Sequence, residues 1–306
     1  MKKIPLLYFL LMAALLSSCA NSRNCTSKTE KKKLPVVSRL DDLPALGKGV
    51  YRAPNGTERV LNFKPKQERD DSEINYFPDN NTSLYAGSSS GIQSVKDPVT
   101  NQPCDAEGCP QHCQFDGSKR KEAKTVISGS NNTTYSSLNI LFRDFVDHHP
   151  DSGMKSLVAN NQARIAEEDK NVTINSAYLF CFSKESDEDF HLVIGTKRNK
   201  NAANNRFFIV EISGLPHPGS TSYSALDLAH QNFFSLIGDT YCNGSGYFWF
   251  DNGNQPLRIK LKGSLYWDTE HWSTTHNAPY AHGPSEVQSR LTTVWEIHPV
   301  TFITER

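Results

Sequence analysis

The chain has 306 residues, enough for one or two domains. Its hydrophobic content of 37% and mean hydropathy of −0.55 are low for a compact protein of this size, which indicates an unstructured part beside a normal core. The formal net charge is zero, so the chain lacks both the basic bias of a non-specific nucleic-acid binder and the acidic bias of a solvating tail.

The N-terminus has the pattern of an export signal. Two lysines precede the apolar run Ile4 to Leu16, which is too short to span a bilayer. The next residues, Leu16-Ser17-Ser18-Cys19, resemble a bacterial lipobox, in which the cysteine carries the lipid. The resemblance implies a signal peptide over 1–18, a lipid anchor to the membrane at Cys19 and a place in the cell envelope. An ordinary signal peptide cut nearby is the alternative.

Residues 19–135 are predicted to be a tether and a loosely ordered, cysteine-containing region, because they are polar and carry only short strand-like pieces. Six cysteines follow the predicted anchor and are disulfide candidates: Cys25, Cys104, Cys109, Cys113, Cys181 and Cys242. Disulfides are favoured because an exported chain meets an oxidising compartment, although the sequence does not determine their pairing. Residues 104–113 hold three of these cysteines and a histidine, and zinc is the alternative there.

Residues 136–306 are predicted to fold into a domain with a short helical lead-in and a mainly β body. Strands are predicted over residues 172–182, 190–194, 206–212, 256–268 and 293–304, and a helix over 222–237 follows the third strand. This β-β-β-α-β-β order is that of the five-stranded OB-fold barrel. Gly263 is expected at a bend or bulge of the fourth strand, Ser224 with Asp227 to cap the helix, and Gly238 to end it.

Three segments carry a resemblance: Glu188–Ile194, Gly263–His271 and Trp295–Val300. They contain the motifs D-F-H-L-V-I, G-S-L-Y-W-D-T-E-H and W-E-I-H-P, which resemble motifs of a group of uncharacterised exported bacterial proteins. The resemblance covers about residues 163–304. That group has no established activity, so the resemblance implies one folded module with recurring polar positions and no particular function.

The recurring polar and aromatic positions form a candidate binding site: His191, Asp268, His271, Trp295, Glu296 and His298. Glu296 and His298 are two residues apart on the closing strand, so their side chains leave the same face. If that face meets His191, the three residues could bind a divalent metal ion. A buried polar network that fixes strand register explains the same residues.

Several functions remain open. In an OB-type barrel, the acidic loop 183–189 and the long loop 269–291 would flank the ligand face. Five aromatic residues nearby could stack on sugars or bases or belong to the core: Tyr266, Trp267, Trp272, Tyr280 and Trp295. The acidic loop argues against a phosphate backbone as ligand. We expect a binding module for a carbohydrate, peptide or small ligand. The alternatives are a metal-dependent hydrolase, such as a nuclease, and a non-catalytic envelope scaffold.

Overall fold

The computed structural model describes most of the chain after residue 32. The described ranges are 33–65, 121–129, 131–158, 163–185, 189–215, 220–238, 246–273, 278–279 and 283–306. The predicted signal peptide, the anchor Cys19 and five of the six disulfide candidates (Cys25, Cys104, Cys109, Cys113 and Cys242) therefore lie outside the described residues. In the described ranges, no helix has the length and apolar character needed to cross a bilayer.

Twelve strands and six α-helices make up the described fold. The strands are β1 (Val36–Val37), β2 (Lys48–Arg52), β3 (Glu58–Pro65), β4 (Asn132–Tyr135), β5 (Asn171–Lys184), β6 (Phe190–Gly195), β7 (Phe207–Ile212), β8 (Gly246–Phe250), β9 (Leu257–Trp267), β10 (Trp272–Ser273), β11 (Ala278–Pro279) and β12 (Leu291–Glu305). The helices are α1 (Leu43–Leu46), α2 (Lys121–Thr125), α3 (Leu138–Asp144), α4 (Asp151–Leu157), α5 (Tyr223–Ile237) and α6 (Ser285–Gln288).

Five strands close into a barrel. Neighbouring strands pair in the order β5, β6, β7, β12 and β9, and β9 pairs back to β5. The β7–β12 pairing is parallel and the other four are antiparallel. The helix α5 lies between the third and fourth barrel strands in the chain, as the sequence predicts. The structure thus confirms a mainly β protein with a closed five-stranded, OB-fold-like barrel.

The main hydrophobic core fills the barrel interior. It takes fully buried residues from each of the five barrel strands: Ile174, Leu192, Val210, Leu261 and Ile297. The helix α5 contributes Phe233 and Ile237 to the same core. Because successive side chains of a strand point to opposite faces, the residues that alternate with this set leave through the outer face of the barrel.

The folded unit starts earlier in the chain than the predicted boundary at residue 136. It spans Pro35–Arg306, and β1, β2 and β3 belong to the same sheet as the barrel. Strand β3 pairs with β8, which pairs with β5. Leu61 of β3 is fully buried beside Phe250 of β8, so apolar packing explains why this segment is ordered. Neither β8 nor these early strands were predicted from the sequence as part of the domain.

Two local predictions are wrong. Cys181 is a free thiol, fully buried in a smaller apolar cluster with Val193 and Trp249, where it packs as an apolar side chain instead of forming a disulfide. Ser224 and Asp227 do not cap α5, because Ser222 is the N-cap residue and the Asp227 carboxylate accepts a hydrogen bond from the Gln231 side chain. The predicted helix end at Gly238 is confirmed, with a positive φ of 77°.

Gly263 lies where β9 meets an irregularity of β12. It pairs with Val300, and the register of the two strands shifts on either side of that pair. A Cβ atom on Gly263 would collide with the carbonyl oxygen of Pro299 and with Ile297. The extra residues lie in β12, while β9 pairs regularly with β5 at Gly263, so the predicted bulge of the fourth strand is wrong and the irregularity belongs to its partner strand. Close approach of the two backbones still requires glycine at this position.

We expect Gly263→Ala to lower the free energy of unfolding by about 1–3 kcal/mol, because the added methyl group overpacks the β9–β12 contact. Gly153→Ala is the matched control, since Gly153 lies inside α4 with no atom near its Cβ position. That change should stabilise the protein by roughly 0.5–1 kcal/mol. Urea unfolding measures both, and equal stability of the two variants would contradict the prediction.

Candidate functional site

Four polar side chains from the strands β6, β7 and β12 lie close together on the outer face of the barrel. His191 on β6 pairs directly with Glu211 on β7. The parallel pairing of β7 and β12 sets Ile209 opposite Glu296, and two residues further along both strands it brings Glu211 beside His298. The register of three strands therefore carries two histidines and two glutamates to one place.

The imidazole of His298 lies at the centre of this group and is fully buried. Its Nδ1 atom is 2.6 Å from Glu211 Oε2 and 3.6 Å from Glu296 Oε2. Its Nε2 atom is 3.4 Å from Asp189 Oδ2. One imidazole is thus surrounded by three carboxylates that come from β7, from β12 itself and from the residue before β6.

The carboxylate of Glu211 contacts two imidazoles at once. Its Oε2 atom faces His298, and its Oε1 atom contacts His191 Nε2. The other ring nitrogen of His191, Nδ1, is 3.6 Å from Glu185 Oε1. Glu185 and Asp189 both belong to the acidic loop 183–189, so this loop supplies carboxylates to the outer face of the barrel.

A second pair lies beside this group. Asp268 follows β9 and is fully buried, and its Oδ2 atom is 2.5 Å from His271 Nδ1. The rings of His271 and His191 are 6.5 Å apart between centroids. We call the combined set the polar cluster: Glu185, Asp189, His191, Glu211, Asp268, His271, Glu296 and His298. It holds five carboxylates and three imidazoles.

The backbone under the polar cluster is held by Arg164. Its guanidinium donates hydrogen bonds to the main-chain oxygens of Leu265 and His298, which lie on the neighbouring strands β9 and β12. It also lies over the ring of Tyr266, 5.7 Å from the centroid. The Tyr266 ring in turn packs edge-on against the His298 imidazole at 5.6 Å. These contacts fix the position of the central histidine.

The contacts between His298 and Glu211 do not have hydrogen-bond geometry. Both ring nitrogens of His298 and both carboxylate oxygens of Glu211 are buried, and none of the four makes a hydrogen bond in the described part of the chain. Such atoms are exceptions, because buried polar groups are normally hydrogen-bonded. Of these four atoms, His298 Nδ1 and Glu211 Oε2 approach each other closely, at 2.6 Å, without forming a hydrogen bond.

Two groups within the polar cluster have the composition and spacing of metal ligands. In each group, one ligand atom per residue lies within 4.8 Å of the others. The first group is Asp189, Glu211 and His298, and the second is Asp268, His271 and Glu296. Carboxylate oxygens and imidazole nitrogens together are the donors that zinc and similar first-row divalent ions prefer.

Burial and mutual charge shift the pKa values of the cluster. Burial raises the pKa of Glu211, but the positive charges of His191 and His298 outweigh this and hold it well below its usual range. Burial works against the charged imidazoles, yet the carboxylates around them raise the pKa of His191 to about 10 and that of His298 to about 9. Burial, with the charges of Glu211 and Asp268, raises the pKa of Glu296 to about 7.

The structure brings five of the six candidate site residues together. His191, Asp268, His271, Glu296 and His298 all lie in the polar cluster. Trp295 does not join it, because its side chain belongs to the main core and its indole N–H donates to the His149 carbonyl oxygen at 2.8 Å. Trp267 and Trp272 also pack in the main core, whereas Tyr266 lies against the cluster, and Tyr280 falls outside the described residues.

Three members of the polar cluster, Glu211, Asp189 and Glu185, are not among the site residues predicted from the sequence. The signal for Glu211 was present, since it is the one charged residue in the apolar strand Phe207–Ile212. A buried strand carries a charged side chain only when another part of the fold supplies a hydrogen-bonding or oppositely charged partner. Asp189 and Glu185 gave no comparable signal, because a run of acidic residues in a loop is also typical of a solvated surface.

No family model, no curated protein and no solved structure matches this chain. The similarity to exported bacterial proteins therefore stays a prediction. The function has to follow from the geometry and chemistry of the polar cluster.

Without bound cations, the protein should lose stability as the pH rises from 6.5 through about 9 and 10. The pKa values of His191 and His298 are raised in the folded state, so their contribution is fully present below the unfolded value of 6.5 and is lost as the imidazoles deprotonate. The raised pKa of Glu296, about 7, acts in the same direction at lower pH.

Thermal unfolding in a chelating buffer at a series of pH values tests this expectation. The variant His298→Gln should show a flatter decline above neutral pH, because one titrating group is gone. His148→Gln, at an exposed position, should follow the wild-type profile. A wild-type melting temperature that stays constant or rises over this interval would contradict the expectation.

Proposed function

We propose that the protein binds a divalent transition-metal ion of the zinc type through Asp189, Glu211 and His298. The observation that carries this proposal is the close approach of buried, non-hydrogen-bonded ligand atoms of His298 and Glu211. Atoms that converge on a shared cation need not align a hydrogen with one another, so a metal site accounts for buried ligand atoms that face each other without a hydrogen bond.

The competing explanation is a polar network that fixes strand register. Such a network normally satisfies its buried donors and acceptors, since a half-satisfied network costs more than an apolar core. Glu211 and His298 do not meet that condition. A divalent ion would also offset the excess of carboxylates over imidazoles in the cluster, because it brings two positive charges to acceptor atoms.

The burial of the site favours holding an ion over turning over a substrate. The side chains of His298 and Glu296 are fully buried, and that of Glu211 is 1% exposed. A catalytic metal site needs an open position for water or substrate, whereas a closed ligand shell suits storage or structural binding. The aromatic residues Trp267 and Trp295 pack in the main core, so these two side chains do not offer a stacking surface to a carbohydrate.

The N-terminal pattern supports a cell-envelope location for this metal-binding module. An export signal followed by the lipobox-like Cys19 would anchor the chain to a membrane by lipid. Export would then present the polar cluster to the ions of that compartment instead of those of the cytoplasm.

The metal-free wild-type protein should bind Zn²⁺ tightly, and His298→Gln and Asp189→Asn should each weaken that binding by at least about tenfold. We expect at least this loss of affinity because each variant removes a direct ligand, and loss of an outer-sphere partner alone weakens metal binding by roughly 10–100-fold. The measurement is competition with a chromophoric chelator after complete metal removal. His148→Gln, an exposed histidine outside the cluster, is the control and should bind as the wild type does.

A second readout separates binding from misfolding. An ion that binds only the folded state stabilises it by about 2.7 kcal/mol at a concentration one hundred times the dissociation constant. Zn²⁺ should therefore raise the melting temperature of the wild type and of His148→Gln. Asp189→Asn, which keeps the shape of the side chain, should fold but respond less. A wild-type protein that neither binds Zn²⁺ nor gains stability from it overturns the proposal.

A further inference from the structure

We propose that a second divalent ion binds beside the first, at Asp268, His271 and Glu296, so that the outer face of the barrel holds a two-ion centre. This inference rests on the proposed function, because it adds a neighbour to the ion assigned to Asp189, Glu211 and His298.

The second site draws its three residues from separate places in the fold. Asp268 directly follows β9, His271 ends the short 3₁₀ turn Thr269–His271, and Glu296 lies on β12. One ligand atom from each lies within 4.8 Å of the others. Asp268 and Glu296 are fully buried, and the His271 side chain is 13% exposed. Two buried carboxylates and one nearly buried imidazole form a ligand set that an exposed acidic patch does not provide.

The two sites are close enough to form one centre. Glu296 Oε2 of the second site is 3.6 Å from His298 Nδ1 of the first. The Glu296 carboxylate therefore borders both ligand groups, a position from which its two oxygens can reach two ions. Paired ions in proteins commonly lie roughly 3.5–4 Å apart and share such carboxylates.

The charge of the polar cluster favours two ions over one. A histidine must be neutral to bind a metal, so the six ligands of the two sites contribute four carboxylates and no imidazolium. One divalent ion would leave about two negative charges on these ligands in a buried region, where charge is costly, and two ions would leave about none. The second ion thus brings the buried cluster close to neutrality.

One margin of the polar cluster gives the ions a route to their ligands. The side chains of His191, His271 and Glu185 are 14%, 13% and 20% exposed, whereas those of His298 and Glu296 are fully buried. A metal site in a folded protein needs such an entry path. His271 lies at this margin, so the second ion would be the one nearer to solvent.

Metal stoichiometry tests the two-ion centre. The full chain is stripped of metal, loaded with excess Zn²⁺, freed of unbound ion by gel filtration and measured for zinc per chain. We expect two ions in the wild type and in His148→Gln, and one in His271→Ala. Asp268→Asn preserves the shape of the side chain and should also bind one zinc ion per chain. This variant replaces His271→Ala in the test if His271→Ala fails to fold.

The outcomes separate the two proposals. One ion per wild-type chain overturns the two-ion centre and leaves the first site standing. Two ions in both His271→Ala and Asp268→Asn overturn the residues assigned here. A wild-type chain without zinc overturns the proposed function itself. Two ions in the wild type that fall to one in either folded variant support the second site.

Discussion

The contact of the Glu211 carboxylate with His191 and His298 ties three barrel strands together on their outer face. Each of these groups is expensive to bury alone, and each is tolerable only because the others are present. Removing one partner from such a buried set typically costs about 3–5 kcal/mol, since it leaves charge without compensation. Loss of any one of these three side chains should therefore remove much of the stability of the barrel.

Completion depends on strand register. The side chains of a strand alternate between faces, so a slip of one residue in β12 would turn Glu296 and His298 into the apolar interior and expose Ile297. The close approach at Gly263 and the bridge from Arg164 to the main-chain oxygens of Leu265 and His298 both act on the β9–β12 pairing. Backbone features outside the cluster thus decide whether its ligand atoms meet.

The sequence reveals the parts of this protein that follow from local pattern. Alternation predicts the five barrel strands, glycine chemistry predicts the helix end at Gly238, and polar residues on one strand face point to His191, Glu296 and His298. Strand β8 was missed because its five residues are all apolar and carry no alternation. Glu211 was missed because its role comes from pairing with strands distant in the chain, which no local window contains.

The early strands shorten the stretch of chain that lies between Cys19 and the folded unit. Strand β1 begins at Val36 and pairs with β2, so the folded unit starts about 17 residues after Cys19. A fully extended chain covers at most roughly 3.3–3.6 Å per residue, which limits that span to about 60 Å. Residues 66–120 add nothing to this reach, because β3 before them and α2 after them belong to the same unit. A lipid on Cys19 would therefore keep the start of β1 within about 60 Å of the membrane surface.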